Sequence, residues 1–167
     1  SRAHLLQPTG TASGREVLRD VARETLGFVV AELRAPGGAF YTTLQGGQRD
    51  TQILAGANGL AISALARGGF ALAEPRFGEA AKSAARFVLA NLRGADGLVA
   101  LVADGRRGPP ATLTDYALLI AGVLDLLEYE ADAQWLELAL ELQAEQDALF
   151  AHPRAGYFST RSAPGPG

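Results

Sequence analysis

Apolar positions recur along this chain in two alternating ways, and the alternation predicts its architecture. Ser13-Gly14-Arg15-Glu16 has the spacing of a capping box, with Ser13 as N-cap and Glu16 three residues on. Behind it Leu18, Val21, Ala22, Thr25, Phe28, Val29 and Leu33 recur at helical spacing, with Arg15, Arg19, Arg23, Glu24 and Glu32 between them. This is an amphipathic first helix that stops before Pro36-Gly37-Gly38. The second helix, from about Asn58 to Ala73, differs: Leu60, Ile62, Leu65, Phe70 and Leu72 spread around its circumference, and Arg67 is its only charge. A helix apolar on all sides is expected to be buried on all sides. The third follows Pro75, a first-turn residue, with the stripe Phe77, Ala80, Ala81, Ala84, Ala85, Val88 and Leu92. The fourth, about Thr114 to Tyr129, is again apolar all round. The fifth, about Asp132 to Phe150, is amphipathic, with Trp135, Leu138, Ala139, Leu142 and Leu149 on one face.

Half-exposed and buried helices thus alternate. An up-down bundle gives every helix one wet face, whereas a two-layer ring gives inner helices packed on both sides and outer helices packed on one. The expected fold is all-α, a segment of an (α/α) toroid of about two and a half hairpins. An internal repeat supports it. Phe28-Val-Val-Ala-Glu-Leu-Arg34 is similar to Phe87-Val-Leu-Ala-Asn-Leu-Arg93, and Gly38, Gly97 and Gly156 each lead an apolar pair at a constant spacing of 59 residues. The expected organisation is a flexible tail over 1–12, the helical repeat domain over 13–160, and a second flexible tail over 161–167. The inner-helix flanks are apolar, so their exposure is costly; a homodimer, or the missing part of a longer chain, is the expected cover.

Composition narrows the chemistry. The 167 residues carry a net charge of −3 and no Cys, which removes thiolate metal sites and thiol catalysis. No basic block exceeds Arg106-Arg107, so nucleic acid is not an expected partner. His4 and His152 have no metal-binding spacing, and no metal or cofactor is expected. No apolar stretch reaches membrane-spanning length, which gives a soluble, cytoplasmic protein as the default. The absence of Met and the Ser start point to a fragment or processed product.

Gly37-Gly-Ala-Phe-Tyr41, Asp50-Thr-Gln-Ile-Leu54, Asn58-Gly-Leu-Ala-Ile-Ser-Ala-Leu-Ala66, Pro75-Arg-Phe77, Leu113-Thr-Asp-Tyr-Ala117 and Trp135-Leu136 occur in this order. Together they resemble the helical domain of the spermatogenesis-associated, thioredoxin-domain-containing family. The resemblance implies an (α/α)6 toroid of the six-hairpin glycosidase and N-acylglucosamine 2-epimerase type. The chain departs from the family pattern in having Gln52 for Lys and Ala57 for Trp, and it lacks the thioredoxin-like domain. The implied function is a carbohydrate-active-enzyme-like domain taking a sugar or sugar-like ligand. Whether it is itself a glycosidase- or epimerase-like enzyme stays open. The alternative is a non-catalytic helical scaffold for a protein partner.

The candidate catalytic pair is Asp115 and Tyr116, at the start of an inner helix. A carboxylate there suits acid–base work or sugar hydroxyls, and a phenol suits stacking or hydrogen bonding. The competing reading gives Asp115 to the helix dipole, behind a threonine N-cap. Asn58 is a candidate ligand contact or an N-cap, Tyr41 lines a cleft or closes the core, and Arg49 with Asp50 forms a ligand clamp or a surface pair.

Overall fold

The computed structural model describes residues 13–42, 44–45 and 48–161, with 44, 45, 48 and 49 as backbone. Among the described residues five helices carry the fold: α1 (Gly14–Glu32), α2 (Ala55–Leu72), α3 (Pro75–Leu92), α4 (Leu113–Tyr129) and α5 (Ala133–Phe150). Seven short strands lie in the connections among these residues. β1 (Leu44–Gln45) pairs with β2 (Gln48–Arg49). β3 (Ile53–Leu54), β6 (Leu101–Ala103) and β7 (Arg106–Arg107) form one antiparallel sheet, and β4 (Arg93–Gly94) pairs with β5 (Gly97–Leu98). Among the described residues no helix is long and apolar enough to cross a membrane.

Local chemistry sets the helix starts. α1 opens on a closed capping box, Ser13 N–H to Glu16 Oε2 at 2.7 Å and Glu16 N–H to Ser13 Oγ at 3.3 Å. α4 opens on a second box between Thr112 and Asp115. α2 differs from the sequence expectation: it starts at Ala55, so Asn58 lies inside its first turn instead of capping it. The strand pair β3–β6 runs directly into α2, and the Ala55 N–H donates to the Ala100 carbonyl at 2.8 Å, which takes over the capping role.

α2 and α4 pack side by side and parallel. Gly56 lies against Asp115, Gly59 against Leu118 and Leu119, Ser63 donates to Asp125, and Gly69 approaches Tyr129. Both helices run from the strand-bearing end, and α3 and α5 cover their outer side. The outer helices bury matching positions 58 residues apart: Phe77, Ala80, Ala81, Ala84 and Leu92 in α3, and Trp135, Leu138, Ala139, Leu142 and Phe150 in α5. Gly38, Gly97 and Gly156 all have positive φ (101°, 89° and 75°), so the repeat glycines make one recurring turn that side chains rarely adopt.

Two expectations are corrected. The inner helices are not buried all round: Leu60 and Phe70 of α2 and Leu124 of α4 are exposed, because each of these helices has neighbours on only part of its circumference. The apolar stripe of α1 is also largely exposed, with Leu18 at 71%, and Leu26, outside the expected stripe, is its one buried residue. The tails at 1–12 and 162–167 lie outside the described residues. Arg161, assigned from the sequence to the second tail, is anchored: its guanidinium donates to the Asp96 and Leu98 carbonyls at 2.8 and 2.9 Å.

α1 packs Leu26, Val29, Val30 and its C-cap Leu33 against the core, and an ion pair, Arg23 to Glu74 at 2.5 Å, ties it to the turn joining α2 to α3. The Arg23 hydrogen bond, with Arg76 adding, lowers the Glu74 carboxyl below its ordinary 4.5. A lowered folded-state pKa contributes stability above the unfolded value that disappears as pH falls through the folded one. Below about pH 4.5, α1 amides should therefore lose hydrogen-exchange protection before those of α2 and α4. Glu74→Gln should remove that pH dependence. Equal loss in all three helices would contradict the assignment.

Candidate functional site

The parallel packing of α2 and α4 brings Asn58, Asp115 and Tyr116 to one end of the inner layer, beside the β3–β6–β7 sheet. The β6–β7 hairpin turns at Asp104-Gly105, both with positive φ, and Thr51 donates to Asp104 across the two connections at 3.4 Å. The three side chains do not converge there.

Asn58 is fully buried and faces the outer layer. Its Oδ1 accepts from the Phe40 N–H at 2.8 Å, and its Nδ2 donates to the Phe40 and Leu54 carbonyls, both at 2.9 Å. Tyr116 is also fully buried. Its hydroxyl accepts from the Leu98 N–H at 2.8 Å and donates to Glu145 at 3.2 Å, and its ring meets Phe150 edge-on at 5.7 Å. Burial, with the negative charge of Glu145 adding to it, pushes the phenol above its ordinary pKa, so it stays protonated at neutral pH. Asn58 and Tyr116 occupy equivalent helix positions and do the same job: each ties the backbone of the preceding hairpin to the first turn of an inner helix.

Asp115 is placed differently. It is half-buried, and its Oδ2 accepts from the Thr112 N–H and hydroxyl, both at 2.8 Å. Oδ1 has no hydrogen-bond partner among the described residues and lies against Gly56 in the first turn of α2, a helix without a side-chain cap. A carboxylate there complements two helix N-termini at once. Tyr41 is half-buried and lines a separate open depression of about 480 Å³ with Arg34, Pro36, Thr51 and Ser83. Asp50 is exposed and accepts from the Gln52 N–H at 3.1 Å, an Asx turn. Arg49 lies in β2, and its side chain is outside the described residues.

Sequence reasoning missed two features. Glu145 joins Tyr116 to Arg93, which also reaches Glu141 at 2.8 Å. The signal was the repeat-ending Arg93 together with acids four residues apart on the facing helix. The second is a groove of about 480 Å³ between the C-terminal halves of α2 and α4, where Arg67 and the exposed ring of Phe70 face Asp125, Glu128 and Tyr129. Among the described residues no group of three or more acidic or His side chains is placed to hold a metal ion.

No protein-family model matches the chain. Three curated relatives do: it is 35% identical over 129 residues to spermatogenesis-associated protein 20 of Mus musculus and 34% over 136 residues to that of Homo sapiens, covering 68% and 71% of this chain. The chain spans 16% of the length of these relatives. Among solved structures it is similar to a sugar epimerase from a ruminal bacterium, with TM-score 0.75 and 15% identity over 89% of this chain and 40% of that one. It is also similar to cellobiose 2-epimerase from Spirochaeta thermophila, with TM-score 0.71 and 21% identity over 94% and 45% of the two chains. A D-mannose isomerase follows, with TM-score 0.70 and 15% identity over 86% and 38%. The chain is thus a homologue of part of the spermatogenesis-associated protein 20 family, folded as an arc of an (α/α) toroid.

Proposed function

We propose that this arc forms part of the wall of a carbohydrate-binding toroid and presents Asp115 to a sugar-like ligand at the strand-bearing end of its inner helices. The supporting observation is the Asp115 carboxylate. One oxygen closes the capping box, while the other has no hydrogen-bond partner among the described residues and lies at the junction of two helix starts. A carboxylate oxygen of this kind accepts from sugar hydroxyls. Glycoside hydrolysis needs a second acid across the scissile bond, so the arc binds and orients, and any catalysis requires a partner acid. The enzymes with similar folds act on cellobiose or mannose by their names, and those two sugars are the first probes.

Asp115→Asn keeps a side-chain oxygen for the cap and removes the charge. It should cost less than about 1 kcal/mol of stability while abolishing amide shifts induced by millimolar cellobiose or mannose. Shifts that survive the substitution, or that centre on Phe70 and Glu128, would move the site elsewhere.

A second reading, a non-catalytic scaffold, is favoured by the commitment of Asn58 and Tyr116 to backbone tethers. It expects no response to either sugar.

A further inference from the structure

The groove on the seam between the C-terminal halves of α2 and α4 lies at the opposite end of these helices from Asp115. Arg67 and Phe70 stand three residues apart on α2 and share one face, as do Asp125 and Glu128 on α4. The two pairs occupy equivalent repeat positions: 58 residues separate Arg67 from Asp125 and Phe70 from Glu128, as they separate Asn58 from Tyr116. The packing of α2 on α4 brings both faces to one depression of about 480 Å³, lined also by Ala66, Ala71 and Tyr129. That volume is within the range of small-molecule sites, roughly 300–1,000 Å³.

Opposite charges line this groove and do not meet. Arg67, Asp125 and Glu128 take part in no ion pair among the described residues, and every Asp and Glu of the chain is among those residues. Asp125 is fixed: one oxygen accepts from the Ser63 hydroxyl across the seam, and the other has no hydrogen-bond partner among the described residues. The aromatic wall on the α4 side is fixed too. Tyr129 is wedged between the last turn of α2 and the first turn of α3, where a Cβ at Gly69 would lie 3.0 Å from its Cε2 and one at Gly78 2.1 Å from its Cζ. Glycine at both positions leaves room for the ring. Across the groove the ring of Phe70 is 75% exposed, a large apolar surface in water beside that wall. The C-terminal ends of α2 and α4 add partial negative charge, which favours a cation on the Asp125–Glu128 side.

We propose that this groove binds a free amino acid with an aromatic side chain. Its ammonium lies between Asp125 and Glu128, its carboxylate meets Arg67, and its ring packs between Phe70 and Tyr129. Such a zwitterion closes the gap that keeps Arg67 from the two acids. An amine without a carboxylate leaves Arg67 unpaired, an acid without an amine leaves Asp125 and Glu128 unpaired, and a neutral sugar leaves all three. The inference is independent of the carbohydrate reading, which rests on Asp115.

The test uses three ligands that share one ring: L-tryptophan, tryptamine, which lacks the carboxylate, and indole-3-propionate, which lacks the ammonium. Each is titrated into the intact chain and followed by amide shifts. L-Tryptophan should give saturable shifts at Phe70, Ala71 and Glu128 and bind about three- to five-fold tighter than either relative, the ratio that one screened ion pair gives. Arg67→Gln should abolish the preference over tryptamine and keep the preference over indole-3-propionate. Glu128→Gln should shrink the preference over indole-3-propionate and keep the preference over tryptamine. Arg67 and Glu128 are both exposed, so these variants keep the fold. Phe70→Ala should weaken all three ligands alike. The absence of a saturable shift at the solubility limit of L-tryptophan would overturn the proposal, as would equal affinity for the three ligands or preferences that both substitutions leave intact. Shifts centred on Thr112 and Asp115 would place the amino acid at the other end of α4 and also overturn it.

Discussion

Gly59→Val should be among the most destabilising single changes in this chain. α2 and α4 cross at Gly59 and Gly122, where backbone meets backbone. A Cβ at Gly59 would lie 2.6 Å from the Leu118 carbonyl carbon and oxygen, and one at Gly122 would lie 2.5 Å from the Gly59 oxygen. No rotamer change relieves a clash with main chain, so the helices must separate along their shared face. Overpacking typically costs about 1–3 kcal/mol, and the rigid neighbour puts this case at the upper end or beyond. For a chain of this length that lowers the melting temperature by roughly 6–12 °C. Gly27→Ala in α1 is the control. It meets nothing within 4 Å, and its helix propensity favours it by about 1 kcal/mol. Thermal melting of the two variants checks the contrast; a Gly59→Val chain that melts with the parent would show that the helices do not cross there.

Asn58→Leu should cost nearly as much, by a different route. Leu fills the space but leaves the Phe40 N–H and C=O without their Asn58 partner in a buried position. Each buried group stranded in this way costs about 1–3 kcal/mol, so the loss from the two is roughly 2–6 kcal/mol. Asn58→Asp separates the tether from a ligand contact. An aspartate still accepts from the Phe40 N–H but turns its charge toward two carbonyl oxygens. The tether therefore expects strong destabilisation, relieved in part at low pH, whereas an exposed ligand contact would tolerate the change. Urea midpoints at pH 7 and pH 4 decide between them.

Much of this fold was legible because its signals are local. The Ser13–Glu16 box, Pro75 at the start of α3 and the three repeat glycines each act over a few residues, and each is where the pattern placed it. The start of α2 was not legible. Its cap is a carbonyl from Ala100, some 45 residues away in sequence, and nothing near Asn58 records that contact. The candidate site suffered in the same way. Helical spacing put Asn58, Asp115 and Tyr116 at one end of the inner layer, but adjacent residues on a helix point about 100° apart. The direction that buries Tyr116 against Phe150 therefore leaves Asp115 at the rim. Asn58 and Tyr116 look unrelated as residue types. Their equivalence becomes visible once each is paired with the backbone N–H 18 residues before it. The exposed stripes on α1, α2 and α4 are faces on which none of the described residues packs, and apolar periodicity within a helix does not report that.

The central claim is that α2 and α4 are parallel neighbours in a repeating arc. The chain has no native cysteine, so spin labels can be placed by paired substitution at exposed sites, and electron paramagnetic resonance distances are the most direct measurement. Leu60 with Ala117, and Ala71 with Glu128, should both read as neighbours at helix-packing range, about 8–10 Å between axes plus label length. Leu60 with Glu128 should be clearly longer, because about 15 Å of helical rise, roughly ten residues, separates those positions along the axis. The reverse result, with the Leu60–Glu128 pair close and the two matched pairs far apart, would describe an antiparallel bundle and contradict the toroid arc.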